Sequence, residues 1–162
     1  MILRHILVEN FRCIRRAELD LASGLNVFYG PNELGKSTLV EAIRSAFLLP
    51  VNSRVADDFI PWGTDAVPVV SVEFDLPMQA TDGPSNETST DGCNQPVSST
   101  SFNRYRIVKS FGSGTRSTAT LEQIKQGGRK VEVARGRDVD GKLRTMLEWG
   151  IPSPGGRNAP RG

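Results

Sequence analysis

The stretch Gly30-Pro31-Asn32-Glu33-Leu34-Gly35-Lys36-Ser37-Thr38 constrains this chain more than any other. It joins two runs of different hydrophobic period. Before it, Leu25-Asn26-Val27-Phe28-Tyr29 is short and uncharged, the composition of a strand covered on both faces. After it, Leu39, Ile43 and Phe47, with Val40 and Ala46 one position off the stripe, recur at three- and four-residue spacings until Pro50. That spacing predicts a helix beginning near Lys36. A buried strand that turns through two glycines into a helix commits the chain to a mixed α/β fold.

Gly30, Gly35, Lys36 and Ser37 match the spacing G-x-x-x-x-G-K-[ST]. The glycines let the backbone wrap so that successive N–H groups point at one anion. The helix start adds its positive dipole end. The spacing thus reads as a phosphate cradle, with the Lys36 ammonium on the β- and γ-phosphates, the Ser37 hydroxyl on Mg²⁺ and Thr38 near the α-phosphate. Glycine makes up roughly 7% of average composition, so about one chain in a hundred of this size would match by chance. The flanking strand and helix signals reduce that further, which sets aside the rival reading of a glycine turn with a surface lysine.

Around this unit the pattern is mostly that of strands. Residues 2–9 read as a strand and Asn10 to Arg15 as a turn. Ala17 to Leu21 alternate apolar and acidic residues, and Ser23-Gly24 turns the chain again. Residues 51–66 are loop-like around Pro61-Trp62-Gly63. Val70, Val72, Phe74 and Leu76 then alternate with Ser71, Glu73 and Asp75, which predicts a half-buried strand with its acids on a wet face. Residues 79–101 hold almost no large apolar side chain and read as a long mobile insertion between two strands. Residues 104–109 form the next strand, and 118–125 and 130–134 a hairpin about Gly127-Gly128. Asp138 or Asp140 would cap a short helix carrying Val139, Leu143, Met146 and Leu147.

At 162 residues the chain has the length of one domain. Twenty basic against eighteen acidic residues leave a net charge of +2, too small to indicate nucleic-acid binding by itself. Arg129 to Gly162 is richer in base, with eight Lys/Arg against four Asp/Glu; a solvated face is the plainer reading and a phosphate-backbone contact the other. Cys13 and Cys93 lack metal or disulfide spacing and His5 is the single histidine, which suits a reducing cytoplasm. No apolar run approaches the roughly 18 residues of a membrane span.

The first fifty residues resemble the amino-terminal lobe of the SMC/SbcC group of P-loop ATPases. The features that carry the likeness are the initial strand ending Val8-Glu9-Asn10-Phe11-Arg12, the amphipathic strand leading into Gly24-Leu25-Asn26-Val27, and Gly-Pro-Asn-Glu-x-Gly-Lys-Ser-Thr followed by Leu-Val-Glu-Ala-Ile. Pro61-Trp62-Gly63 with the later strands is similar to the antiparallel meander of the bacterial SbcC-like branch. The resemblance implies an α/β fold: a P-loop NTPase half-head in which strand, P-loop and helix pack with an antiparallel β-meander. It implies a lobe over residues 1–149 and a Gly/Pro/Arg-rich tail over 150–162. It also implies ATP and Mg²⁺ as cofactors, wrapped by Gly30, Asn32, Glu33, Leu34, Gly35, Lys36, Ser37 and Thr38. Arg12 would lie against the phosphates, and Trp62 and Gly63 near the base or ribose. Glu33 stands where other members carry glycine and receives no catalytic role.

No acidic Walker B pair follows an apolar strand in this sequence, and no Leu-Ser-Gly-Gly signature or long heptad repeat occurs. Asp57-Asp58 has no apolar strand before it, and Gly112-Ser113-Gly114-Thr115 is the string nearest to a signature. In the family these parts come from a carboxy-terminal lobe and a facing second head. The sequence therefore reads as the ATP-binding lobe of an SbcC-like ATPase for DNA double-strand-break repair, inactive alone and completed by that missing lobe. The implied partners are a head-to-head dimer, a nuclease subunit and DNA, with no membrane. Alternatives are a nucleotide-binding partner-recognition module without turnover and a fragment of an overcoming-lysogenization-type phage-defence ATPase.

Overall fold

The computed structural model describes residues 1–32, 34–78, 101–112 and 116–147. Glu33, the insertion over 79–100, Ser113 to Thr115 and the tail lie outside the described residues.

Six strands form one antiparallel sheet: β1 (Ile2–Phe11), β2 (Ile14–Asp20), β3 (Val69–Pro77), β4 (Phe102–Ser110), β5 (Thr118–Ile124) and β6 (Lys130–Arg135). Their order is β2-β1-β3-β4-β5-β6. Two helices complete the described chain, α1 (Lys36–Leu48) and α2 (Asp138–Leu147). Both expected helices are present, and so are the expected strands apart from the run Leu25 to Tyr29. The β1–β2 turn is tighter than the sequence suggested, because both strands extend to Phe11 and Ile14, which pair directly.

Register explains where the core sits. Ile6 pairs with Val72 and Val72 with Ile107, which in turn opposes Leu121. These four side chains are fully buried on one face of the sheet. α1 lays Leu39, Ala42, Ala46 and Phe47 against the same core, and α2 adds Val139 and Leu143. Val40, expected one position off the stripe, is exposed, since α1 packs against the sheet along one side only. At one end of the sheet Phe11 stacks on Phe59 at 4.5 Å between centroids, with Phe111 edge-on to both. Phe59 closes a 3-10 turn, Arg54–Phe59, within the segment read as loop.

Two expectations need correction. The acids of β3 do not share a wet face: Asp75 is 4% exposed and Ser71 is buried beside it. β3 is an interior strand, and its neighbours fold long cations over it. Arg4 and Arg104 hold the Asp75 carboxylate at 2.6 and 2.9 Å, and Arg106 donates to the Ser71 hydroxyl. Burial pushes the Asp75 carboxyl up, but the hydrogen bonds and charges of Arg104 and Arg4 outweigh it and hold it below the usual range.

The second correction concerns Leu25 to Tyr29. The run forms no strand and pairs with none among the described residues, and Leu25 (89%), Val27 (69%), Phe28 (45%) and Tyr29 (90%) are exposed. A strand needs a neighbour to take up its N–H and C=O groups. The strand ladder departs from this stretch early: Leu21 N–H still bonds the Arg4 carbonyl, and Asn26 then ties the turn by bonding Ala22 and Gly24.

Candidate nucleotide-binding site

The loop from Gly30 is shaped by two glycines that other residues would not replace. Gly30 has φ 151°, and a β-carbon there would meet Leu34 Cδ2 at 2.9 Å. Gly35 is left-handed, φ 83°, and forms the N-cap of α1, where a β-carbon would stand 3.3 Å from Ile14 Cγ1. No side chain caps this helix and its first turn holds no acid. Among the described residues only the Leu39 N–H of this first turn has a backbone acceptor, the Gly35 carbonyl, which leaves the leading amides as open donors.

Lys36 curls back over the loop and donates from Nζ to the carbonyls of Gly30 (2.8 Å) and Pro31 (2.6 Å). The ammonium is thus held at the loop by neutral acceptors. Ser37 is exposed at the first turn, and Thr38 Oγ1 lies 3.5 Å from the Cys13 sulfur. An uncapped helix start, a left-handed glycine and a lysine poised on carbonyls fit a phosphate chain. The Ser37 hydroxyl fits a magnesium ligand whose remaining oxygens would come from phosphate and water. Among the described residues no group of three His, Cys, Asp or Glu could hold a metal without such help.

A cleft of about 560 Å³ opens beside the loop, lined by Lys36, Gly35 and Leu34, by Val27 to Tyr29, and by Cys13 to Ala17 of the β1–β2 turn and β2. Arg15 and Arg16 both border it. Arg16 is neutralised by Glu9 and Glu18, whereas Arg15 is exposed and makes no ion pair among the described residues. Arg15 is a cation that sequence reasoning passed over, because the resemblance singled out Arg12 of the neighbouring turn and nothing in the local pattern marks Arg15.

Arg12 occupies the turn with φ 50°, its N–H bonded to the Phe59 carbonyl and its guanidinium 5.6 Å from the Phe59 ring centre. Its charge pairs with Glu41 of α1 at 3.0 Å. The turn is thereby tied to the helix that carries Lys36 and Ser37. Asn32 and Leu34 are exposed on the loop, and Glu33 lies outside the described residues. Trp62 is fully exposed, so it does not cover the core edge, and Gly63 beside it has φ 74°. Neither borders the 560 Å³ cleft.

A second polar feature lies at the far end of α1. Lys109 of β4 is fully buried, donating to the Leu49 carbonyl at the helix end (2.8 Å) and to Asp140 of α2 (2.6 Å). Burial lowers its pKa, with Asp140 pulling the other way. Nothing in the alternation of β4 marks this lysine as an inward residue except its place on the Ile107 face.

A family model described as an AAA domain matches residues 5–142. The DNA double-strand break repair Rad50 ATPase of Methanopyrus kandleri is 28% identical over 147 residues, 90% of this chain and 14% of that protein. The DNA replication and repair protein RecF of Caldanaerobacter subterraneus is 48% identical over 44 residues, 27% of this chain and 12% of that protein. The chain thus spans 12–14% of the length of these relatives. A solved structure from work on ATP-driven dimerization and DNA-stimulated activation of SMC ATPases superposes with a TM-score of 0.51 at 17% identity, covering 91% of this chain and 78% of that one. Among the described residues no helix is long and apolar enough to cross a membrane. By the extent of the family match and by its fold, the chain belongs to the AAA domain family, as an amino-terminal lobe of the SMC/SbcC type of P-loop ATPase.

Proposed function

We propose that this chain binds ATP with Mg²⁺ through Gly30, Asn32 to Thr38 and Arg12, as the nucleotide-binding lobe of an SbcC-like ATPase that serves DNA double-strand-break repair in the cytoplasm. Residues 1–149 form that lobe and 150–162 a tail. The observation that carries the reading is the uncapped start of α1 with Lys36 folded over the loop. On binding, the Lys36 ammonium exchanges two neutral carbonyls for charged phosphate oxygens, a stronger partner. The open amides of the first turn bond the same phosphates. Ser37 would hold Mg²⁺, which would supply neutralisation of the phosphate charge. Trp62 and Gly63 serve the base or ribose, on a loop that Phe59 anchors from its other end.

Turnover needs acids and a signature loop that the completed head supplies, from a carboxy-terminal lobe and a second head. DNA and a nuclease subunit are engaged by that assembly. Calorimetric titration of ATP and Mg²⁺ tests the binding half of this reading. The intact chain is expected to bind and Lys36→Ala to lose at least a hundredfold in affinity. Equal affinity of the two would overturn the assignment of the loop.

A further inference from the structure

We propose that Arg15 is a further phosphate-binding cation of this site, placed on the α-phosphate of the nucleotide; the proposal rests on the phosphate-loop reading above. The charge of the cleft beside the loop carries the argument. No Asp or Glu borders that cleft among the described residues, and its charged residues are Lys36, Arg15 and Arg16. The remaining wall is largely apolar, with Ala17, Leu19 and Val27 on it, and low-dielectric walls focus the field of such cations on an entering anion. Arg16 adds little to that field, because Glu9 and Glu18 hold its guanidinium. Arg15 differs. It is exposed, and among the described residues its side chain makes no hydrogen bond or ion pair.

Register explains why two adjacent arginines behave differently. Ala17 and Leu19 of β2 pair with Val8 and Ile6 of β1, both fully buried on the face that α1 covers. Alternation along β2 puts Arg15 on that face. Arg16 falls on the opposite one, directly across from Glu9.

The turn before β2 meets the phosphate loop at two points, and these fix which phosphate Arg15 would reach. Ile14 Cγ1 stands 3.3 Å from the place a β-carbon on Gly35 would take, and Cys13 Sγ lies 3.5 Å from Thr38 Oγ1. Thr38 is the loop residue read as nearest the α-phosphate. Arg15 is two positions beyond Cys13, roughly 7 Å of extended chain, a span that its long side chain can cover. Lys36 serves the β- and γ-phosphates from the loop, so Arg15 meets the other end of the phosphate chain from the β2 side. Its planar fork suits two oxygens of one phosphate. Arg12 does not duplicate this contact: its guanidinium pairs with Glu41 and does not border the cleft.

The test is calorimetric titration of the full chain with ATP and with ADP, each with Mg²⁺. Arg15→Ala is expected to weaken both nucleotides by the same factor, about tenfold, because both carry an α-phosphate. Arg15→Lys keeps the charge and should recover affinity to within about threefold of the intact chain. Arg16→Ala, the neighbour on the other face, should change neither affinity by more than about twofold. Thermal unfolding of Arg15→Ala is expected at the wild-type midpoint, since the side chain has no partner to lose, which separates lost affinity from lost fold. Unchanged affinity in Arg15→Ala, a loss confined to ATP, or an equal loss in Arg16→Ala would each overturn the proposal and leave the loop reading standing. Failure of the intact chain to bind either nucleotide would overturn the loop reading, and this proposal with it.

Discussion

The buried Lys109–Asp140 pair offers the sharpest test of how this small lobe is held together. Asp140→Ala leaves a fully buried ammonium with one neutral partner, the Leu49 carbonyl. Stranding one member of a buried pair costs about 3–5 kcal/mol. Lys109→Met keeps a similar volume but leaves that carbonyl without its donor, a loss of about 1–3 kcal/mol. Asp140 is itself 22% exposed and can turn to water once the lysine is gone. The double variant therefore costs about as much as Lys109→Met alone, some ~4 kcal/mol less than the two singles added. Urea unfolding at pH 7 measures all four corners of the cycle. Additivity within about 0.5 kcal/mol, or an Asp140→Ala cost under about 1 kcal/mol, would refute the picture of a desolvated ammonium.

The same pair fixes a pH signature. Burial lowers the folded-state pKa of Lys109 below the ordinary lysine value. At pH below that folded value both native and unfolded chains carry the charge, and the burial penalty stands in full. As pH rises from there toward roughly 10.4, the native lysine sheds its proton first and the unfolded chain binds more protons. Stability contributed by this site accordingly rises across that window, and Lys109→Met removes the rise.

Two further outcomes follow from the core. Asp75→Asn loses the charge that Arg4 and Arg104 share, at a cost of about 1–3 kcal/mol; because the folded carboxyl titrates below its usual range, the wild-type contribution is intact above about pH 4 and lost as pH falls through the folded value, so the acid limb of a urea-midpoint series should flatten in the variant. Phe59→Ala removes a ring stacked on Phe11 and edge-on to Phe111 and should cost about 3–5 kcal/mol, with faster hydrogen exchange at the Arg12 amide that now bonds the Phe59 carbonyl.

Much of the fold was legible because local period and global position agree. Ile6, Val8, Val70, Val72, Phe74, Ile107 and Leu121 alternate in sequence and meet in register on one face. The helix spacing after Lys36 located Leu39, Ala46 and Phe47 in the core for the same reason. What could not be read was pairing across the chain. Asp75 looked wet because its own strand alternates, yet its burial is decided by Arg4 and Arg104, 71 and 29 residues away. Arg12 meets Glu41 and Lys109 meets Asp140 by the same kind of long-range arrangement, which no local pattern announces.

Leu25 to Tyr29 is a different case, because there the pattern and the fold of the lobe point in different directions. An uncharged apolar run costs solubility unless it is covered, and apolar surface removed from water returns about 25 cal/mol per Å². The six-stranded sheet already has its core without this run, so folding of the lobe does not account for its composition. The phosphate loop begins where the run ends, at Gly30. Whatever fixes the run in place would therefore also fix one end of the loop, while α1, clamped by Arg12 through Glu41 and by Lys109 at Leu49, fixes the other. A loop anchored at its helix end, and at its strand end only by the Lys36 ammonium that must leave Gly30 and Pro31 for the phosphates, is only half preorganised for an anion. Affinity for phosphate should then rise when the strand end is held, because less conformational freedom is lost on binding.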